Sequence, residues 1–452
     1  MIRRPKFPLG QQIVRRVALA VAVVLAAFGI GAGAAAAAEL PKQWDPKTVA
    51  VNHDPSNSFL LRPGQILVGP GDAADVQRVL KEYKPLEPRP FGLTLLTTTP
   101  KTTDPAREVL DALARVRKAT AGRPEGPAQV APNYVFVGEA AGDAINFQGE
   151  PRIQGGPGST VRPATLPAAL PQRTSQPADG IGAKIAVLDT GMFDHEWLKD
   201  VQRAPGSADA WDANADGYGD AEAGHGTFIA GLIRQVAPAA QIYAVKVLDS
   251  HGVGDDFGVA AAMAQLPTDT DIINLSLGGY TDRDQPPLAI LNAMRQLGGK
   301  RAVVAAAGNH GSSRPFWPAA FGPVLGVGAV EGGEGKWARA PYSNHGRWVD
   351  ATARGSQLQS TFTREKTLLA LGTSPSPFDP TIAFDGWATW DGTSFATPIA
   401  SAMIARTMSR AGLGSAADAQ LKLTLSAPPA PAPDFPRAVL LDELEGKGEP
   451  KG

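Results

Sequence analysis

Lys184-Ile-Ala-Val-Leu188 begins the part of the chain that decides the fold, and three similar runs follow it. They are Gln241-Ile-Tyr-Ala-Val-Lys-Val-Leu248, Asp271-Ile-Ile-Asn-Leu275 and Arg301-Ala-Val-Val-Ala305. Short apolar runs of this kind are typical of strands that are buried on both faces. The intervals between them have helical spacing, at residues 226–235, 257–265 and 288–297. Strands that alternate with helices predict an α/β fold in which helices cover both faces of a parallel sheet.

A second, smaller α/β unit is predicted before this region, over residues 60–140. Strand-like runs lie at residues 65–68, 91–96 and 134–137, and helical spacing at residues 73–83 and 104–118. Residues 141–180 are rich in Gly, Pro, Gln and Thr and have no apolar period, which predicts a linker between the two units. The larger domain then spans residues 181–425, and a Pro/Ala-rich, charged tail spans residues 426–452.

Residues 1–38 have the pattern of a secretory signal peptide. Five basic residues and no acidic ones accompany an apolar run, Val17 to Ile30, and small residues end the segment at Ala38. An uncleaved anchor is the alternative, because the uncharged residues 17–38 are just long enough to span a bilayer. Their weakly hydrophobic second half favours cleavage. The segment therefore predicts a secreted or periplasmic protein with no membrane attachment after cleavage.

The composition is globular, since 43% of the 452 residues are hydrophobic and 19% are charged. The formal net charge is −1 and no basic stripe is present, which argues against nucleic acid as the main partner. Cysteine is absent, so disulfides, thiolate metal sites and cysteine nucleophiles are excluded. The candidate proton shuttles or ligands are the six histidines: His53, His195, His225, His251, His310 and His345.

Four polar residues stand where a parallel α/β fold places its chemistry, near strand ends and helix starts. Asp189 ends the first run, and His225 lies between glycines at the start of a helix. Asn309 ends the run Val303-Val-Ala-Ala-Ala-Gly-Asn309, and Ser394 enters a helix in Asp391-Gly-Thr-Ser-Phe-Ala-Thr-Pro398. Each of them alone has an ordinary structural explanation as a turn residue or a helix cap.

Together, in the order Asp, His, Asn, Ser, these segments resemble the subtilisin-like serine peptidases, the subtilase family. Ile273-Asn-Leu-Ser-Leu-Gly-Gly279 and Tyr342-Ser-Asn-His-Gly-Arg-Trp-Val-Asp350 resemble two further segments of that family, and the resemblance covers residues 183 to about 410. Three positions depart from the family pattern: Phe228, Phe395 and Arg354.

The resemblance implies a role for each of the four residues. Ser394 would attack the scissile carbonyl, His225 would take its proton, and Asp189 would orient the imidazole. The Asn309 side chain and the Ser394 backbone amide would stabilise the oxyanion. The implied fold is a subtilisin-like parallel sheet with helices on both faces, plus a small N-terminal α/β propeptide domain.

Two segments are expected to line the substrate cleft, where an extended peptide would pair with a strand edge. Their small residues predict space for a medium or large apolar side chain beside the scissile bond. The expected lining residues are Ser276, Leu277, Gly278, Gly279, Ala306, Ala307 and Gly308.

The smaller unit resembles the inhibitor-type propeptide of the same family, through Pro63-Gly-Gln-Ile-Leu-Val68 and Val130-Ala-Pro-Asn-Tyr-Val135. The resemblance implies that this unit assists folding, blocks the cleft and is cut off within residues 141–180. The expected partners are therefore protein or peptide substrates and the chain's own propeptide as an intramolecular inhibitor. The alternative is an independent α/β module that the mature protein retains.

A calcium loop is a further hypothesis, because Asp212, Asn214, Asp216 and Asp220 stand at ligand positions with Gly217 at the sixth place. The usual glutamate at position twelve is replaced by Ala223, so Glu222 is a candidate for closing the coordination sphere. The alternative is a solvated acidic turn. The chemistry itself requires no cofactor.

The sequence therefore predicts a secreted serine endopeptidase that is matured by propeptide removal. A non-catalytic or permanently inhibited subtilase-fold binding protein is the alternative. A lipase or esterase of the α/β-hydrolase type is disfavoured, because Asp189 and His225 precede Ser394 and no Gly-x-Ser-x-Gly motif surrounds it.

Overall fold

The structure is a computed structural model, and it describes the chain from residue 47 onward with gaps. The described residues are 47–54, 56–87, 89–138, 161–164, 175–215, 218–333, 336–369, 382–427 and 438–439. They belong to one body, residues 38–452. The predicted signal peptide lies outside them, as do most of the linker and the tail. Among these residues, no helix is both long and apolar enough to cross a bilayer.

The N-terminal unit comprises five strands and two helices among the described residues. They are β1 (Ala50–Asn52), β2 (Phe59–Val68), α1 (Ala73–Val79), β3 (Lys84–Leu86), β4 (Thr94–Thr97), α2 (Pro105–Thr120) and β5 (Val130–Gly138).

Local chemistry explains where these elements begin. The Asp104 side chain accepts a hydrogen bond from the Arg107 amide at 2.9 Å and so caps α2. The strand predicted from Phe91 starts only at Thr94, because Phe91 has a φ of 54° inside a short 3₁₀ turn. The first helix also ends at Val79, four residues short of the prediction.

The larger unit begins with a short strand, which lies inside residues 141–180, the segment predicted to be a linker. β6 (Arg162–Pro163) pairs with a strand near Ser394, and Val161 is buried in the core of the larger unit. The elements that follow are β7 (Lys184–Asp189), β8 (Gln202–Arg203), β9 (Tyr218–Gly219), α3 (His225–Val236), β10 (Gln241–Lys246), β11 (Val253–Asp255), α4 (Asp256–Ala264), β12 (Ile272–Leu275), β13 (Leu277–Gly278), α5 (Leu288–Gln296), β14 (Ala302–Ala306), β15 (Val324–Gly333), β16 (Lys336–Arg339), β17 (Ala351–Arg354), β18 (Leu358–Thr361), β19 (Lys366–Leu369), β20 (Ile382–Ala383), β21 (Trp387–Trp390), α6 (Thr393–Ala411), α7 (Ala416–Ser426) and β22 (Ala438–Val439).

The main sheet has the order β22-β17-β15-β14-β12-β7-β10-β8, and all of these neighbours pair in parallel. Alternate residues of its central strands enter two separate cores. Ile185 and Val187 pack with α3 and α6, whereas Ala186 and Leu188 pack with α4 and α5. Helices therefore cover both faces of a parallel sheet, which confirms the predicted fold class.

A second sheet joins the two units through β5. Within the N-terminal unit β5 pairs with β2, and its last residues pair antiparallel with β11 and β13 of the larger unit. The register sets Phe136 opposite Gly254, Val137 opposite Gly278 and Gly138 opposite Leu277. The end of β5 is therefore inserted between two strands of the larger unit.

Candidate active site

Asp189 and His225 form a buried pair at the carboxyl end of the main sheet. β7 ends at Asp189 and α3 begins at His225, and Asp189 Oδ1 accepts from His225 Nδ1 at 2.7 Å. The same oxygen accepts from the Thr190 amide at 2.8 Å. These two bonds hold the carboxylate against one ring nitrogen and leave Nε2 on the opposite side.

A third residue, Asp209, connects the two loops that carry this pair. Its carboxylate accepts from the Thr190 hydroxyl at 2.8 Å and from the Gly224 amide at 2.9 Å. Burial raises the pKa of Asp209 to about 6, although Lys246 at 3.6 Å acts in the opposite direction. Asp209 therefore fixes the position of His225 relative to Asp189 without touching either side chain.

Ser394 lies in the first turn of α6, where backbone N–H groups have no partner within the helix. Its hydroxyl donates to the Ser276 carbonyl at 3.2 Å, and the Ser276 hydroxyl donates to the Ser394 carbonyl at 2.8 Å. In the described part of the chain, Ser394 and His225 share no hydrogen bond. Ser394, the nucleophile candidate, is therefore held by Ser276, the residue directly before β13.

Asn309 lies beside Ser394, because its Oδ1 accepts from the Thr393 amide at 2.9 Å. That bond fixes the orientation of the side-chain amide and makes Nδ2 its donor end. Asn344, which is fully buried, holds the loop around it by donating to the Ala307 carbonyl at 2.8 Å and accepting from the His310 amide at 3.0 Å. Asn309 can thus donate from Nδ2 to an anionic oxygen beside Ser394.

The cleft segments predicted from the sequence are buried and adjacent to this site. Ser276 contacts Ser394, and the following residues of β13 pair with β5. The second segment, Ala306 to Gly308, leads into Asn309 and is joined to the helix start by a bond from the Gly308 amide to the Thr393 hydroxyl at 3.1 Å. The two segments therefore converge at the turn that carries Ser394.

The sequence profile described as the subtilase family matches residues 180–445, which is more than half of the chain. The chain belongs to the subtilase family. A thermostable alkaline protease of Halalkalibacterium halodurans is 35% identical over 205 residues, covering 43% of this chain and 54% of that protein. A thermophilic serine proteinase of Bacillus sp. (strain AK1) is 36% identical over 207 residues, covering 43% of this chain and 49% of that protein. This subtilase spans about half the length of the curated relatives that it matches.

One solved structure shows the fold of the subtilase chain more broadly. Fervidolysin from Fervidobacterium pennivorans, a keratinolytic enzyme related to subtilisin, superimposes with a TM-score of 0.58 at 20% identity. The match covers 90% of this chain and 64% of that one. At this level of identity the likeness concerns the fold.

Glu222, which the sequence suggested only as a calcium ligand, lies beside the imidazole of this subtilase site. Its Oε2 lies 3.6 Å from His225 Nε2, the nitrogen that faces away from Asp189. Burial by itself lowers the pKa of His225, but the charges of Asp189 and Glu222 outweigh burial and raise that pKa to about 9. The two carboxylates therefore favour the charged form of the imidazole in this arrangement.

Two of the three family departures contact each other, and one of them, Phe395, also contacts the imidazole. The Phe228 and Phe395 rings lie 4.6 Å apart, and Phe395 lies 5.2 Å from the His225 ring. Trp390 packs against the same ring at 5.6 Å. The third departure, Arg354, lies at the end of β17, away from these contacts.

The calcium hypothesis remains a prediction. Asp220 accepts from the Ala213 amide at 2.9 Å and from the Ser250 hydroxyl at 2.5 Å, and Asp216 lies outside the described residues. Among residues that the structure describes, no three acidic or histidine side chains converge as metal ligands. Glu222, the candidate for closing the sphere, instead faces His225.

Sequence reasoning did not predict the roles that Glu222, Asn344 and Asp209 have in the site. Glu222 stands three residues before His225, and that spacing on one turn was a usable signal. Asn344 was quoted only as part of a family segment, and nothing in its spacing marks it as a clamp. Asp209 has no motif, and its bonds to Thr190 and Gly224 form only in the folded chain.

Proposed function

We propose that this chain is a serine endopeptidase that hydrolyses peptide bonds through Asp189, His225 and Ser394. The observation that carries the proposal is the buried Asp189–His225 bond of 2.7 Å at the same edge of the sheet as Ser394. Asn309 supports it, because its amide is fixed one residue from the nucleophile. A binding function alone would not require this combination of groups.

In the proposed reaction, the Ser394 oxygen attacks the scissile carbonyl while its proton passes to His225 Nε2. Asp189 holds Nδ1–H and stabilises the imidazolium. The oxyanion accepts from Asn309 Nδ2 and from the Ser394 amide. His225 then gives its proton to the leaving amine, and water hydrolyses the acyl-enzyme with His225 again acting as the base.

The described arrangement fits a resting form of this enzyme. Ser394 donates to Ser276, Glu222 faces Nε2, and the end of β5 fills the strand position between β11 and β13. Catalytic hydrogen bonds are often long or absent before substrate binds. We therefore assign the N-terminal unit the role of an intramolecular inhibitor that occupies the substrate's place.

The register of β5 also suggests where the inhibitor is first cut. Gly138, the last described residue of β5, pairs with Leu277, the neighbour of Ser276, whose carbonyl accepts from Ser394. The proposed first cut therefore lies beyond β5, within the segment 141–180 named from the sequence. The residue pattern of the first 38 positions supports export of the enzyme to a secreted or periplasmic location.

The test compares the wild-type chain with Ser394→Ala and with Ser409→Ala, a matched control on the same helix. We expect the wild type and the control to lose the N-terminal unit through a cut within residues 141–180 and to hydrolyse casein. Ser394→Ala should stay uncut, with its rate lower by a factor of about 10⁶. Intact mass and casein hydrolysis are the readouts.

The binding-protein alternative makes the opposite prediction for the same three chains. None of them would then cleave itself or hydrolyse casein. They would stay inert even after an added protease has cleaved residues 141–180. That result would contradict the proposed activity and leave β5 as a permanent occupant of the cleft.

A further inference from the structure

The space beside the scissile bond is bounded by the two cleft segments already described. Ser276 and Asn309 both contact the start of α6, so the residues that follow Ser276 and precede Asn309 form the two walls. A substrate residue that faces Ser276 sends its side chain between these walls. The protein side chains that occupy this space therefore decide which substrate residue can precede the scissile bond.

The Phe316 ring lies between the walls. A Cβ added to Gly278 on one wall would overlap Phe316 Cε1, and a Cβ added to Gly308 on the other would lie 3.1 Å from Phe316 Cδ1. The two glycines thus leave room for a side chain of this protein, and not for one of the substrate. The position of this ring argues against the expected space for a medium or large apolar side chain, which stays a prediction.

The ring is held in place from several sides. It packs edge-on against Tyr280 at 5.2 Å and lies 6.0 Å from the His310 ring. The next residue, Trp317, exchanges two backbone hydrogen bonds with Gly279, at 2.8 and 2.9 Å. Phe316 is 1% exposed, so withdrawing it would require a shift of the backbone that is bonded to the wall itself.

Neither of the titratable side chains on the same loop, Arg314 and His310, places a charge in this space. Arg314, the nearest cation on the same loop, is held by Asp284 at 2.5 Å and by the Ser58 and Thr281 carbonyls at 2.6 and 2.8 Å. Burial lowers the pKa of His310 to about 4, so this imidazole is neutral at the pH of catalysis.

We propose that Phe316 closes the primary specificity pocket and restricts the residue before the scissile bond to small side chains such as Gly, Ala and Ser. The proposal rests on the endopeptidase function proposed above. A Leu, Met or Phe side chain would have to displace a buried ring.

The test measures kcat/KM for one peptide series in which only the residue before the cut varies, with Gly, Ala, Ser, Leu, Phe and Glu in turn. The wild type should prefer Ala to Phe by about 100-fold, and Phe316→Ala should raise the Phe-to-Ala ratio by about 10- to 100-fold. Phe316→Leu should give a smaller rise. Phe321→Ala, which removes a ring that packs against Trp317 at 4.6 Å outside the walls, should leave the ratio unchanged.

Two results would overturn the proposal while leaving the endopeptidase function intact. One is a wild type that cuts best after Leu or Phe, and the other is a Phe316→Ala variant whose ratio equals that of the wild type. Cleavage of no peptide by any of these chains would contradict the endopeptidase function instead.

Ligand binding to inactive variants tests the pocket even if no peptide is cleaved. Buried apolar cavities of ring size bind benzene. Benzene should raise the Tm of the Ser394→Ala, Phe316→Ala double variant in a saturable way and leave the Tm of Ser394→Ala unchanged. No difference between the two chains would show that the Phe316 ring does not fill a closed space between the walls.

Discussion

The His225 imidazole has a carboxylate at each of its nitrogens. Asp189 accepts from Nδ1, and Glu222 lies 3.6 Å from Nε2, where a general base has to receive the Ser394 proton. A negative charge in this position stabilises the imidazolium and so raises the pKa of the base. At the scale of one residue, Glu222 sets the pH above which His225 can act.

We predict that Glu222→Gln shifts the acid limb of the pH–rate profile to lower pH. Activity requires neutral His225, and the removal of a nearby negative charge lowers its pKa. Each pKa unit of that fall raises the rate below the midpoint by about tenfold. The measurement is kcat/KM of the matured enzyme against pH.

Glu196→Gln is the control for this shift, because Glu196 pairs with Arg364 at the surface. Its acid limb should coincide with that of the wild type. An acid limb of Glu222→Gln that is unmoved, or that moves to higher pH, would show that Glu222 does not act on the base.

At the scale of elements, α3 and α6 bring His225 and Ser394 together, and an aromatic cluster joins the starts of these helices. Phe228 belongs to α3 and Phe395 to α6, and their rings lie 4.6 Å apart. Trp390, at the end of β21, contacts both at 5.9 and 5.2 Å. The two departures from the family pattern, Phe228 and Phe395, therefore form one packing contact between α3 and α6.

We predict that substitutions at these two positions are coupled. Phe228→Leu and Phe395→Leu should each destabilise the chain, and the double variant should differ from the sum by about 0.5–1.5 kcal/mol. Urea unfolding of the Ser394→Ala chain, which avoids self-digestion, measures the free energies. Phe228→Leu combined with Phe384→Leu should be additive, because Phe384 packs against Phe362 and Trp211 instead. Additivity in both cycles would contradict the coupling.

The strands and helices near the site were predictable because their signals are local. The runs from Lys184 and Gln241 became β7 and β10, and the glycines around His225 indicated the start of α3. Phe316 and Glu222 act through contacts with Gly278 and His225 that only the folded chain creates. β5 was expected to start at Tyr134 and instead begins at Val130, because β2 extends its pairing.

At the scale of the whole molecule, the N-terminal unit is held to the larger unit by more than β5. Asn133, which is 1% exposed, accepts from the Phe257 amide at the start of α4 at 3.0 Å. Arg62 forms an ion pair with Asp255 at 2.8 Å. The N-terminal unit thus completes the hydrogen bonding of a helix in the larger unit.

We predict that Asn133→Ala shortens the lag between refolding and full activity. The substitution leaves the buried Phe257 amide without its partner, which weakens the association of the two units by about 1–3 kcal/mol. This lowers the association constant of the two units by a factor of about 5 to 150. The lag is followed by casein hydrolysis after dilution from denaturant.

Arg115→Ala is the matched control, since Arg115 pairs with Glu82 within the N-terminal unit. Its lag should match that of the wild type. A lag of Asn133→Ala equal to or longer than that of the control would mean that this contact does not hold the inhibitor.

If the proposed peptidase function holds, the slot that β5 fills between β11 and β13 also bears on which proteins the chain can digest. Once β5 leaves, two strand edges face a gap one strand wide, and only an extended segment with free backbone groups on both sides fits it. Helices and paired strands in a folded target lack such groups until they open locally. The speed at which a native protein is cut should therefore follow the population of its locally unfolded forms, so that the enzyme senses the stability of its targets as well as their sequence.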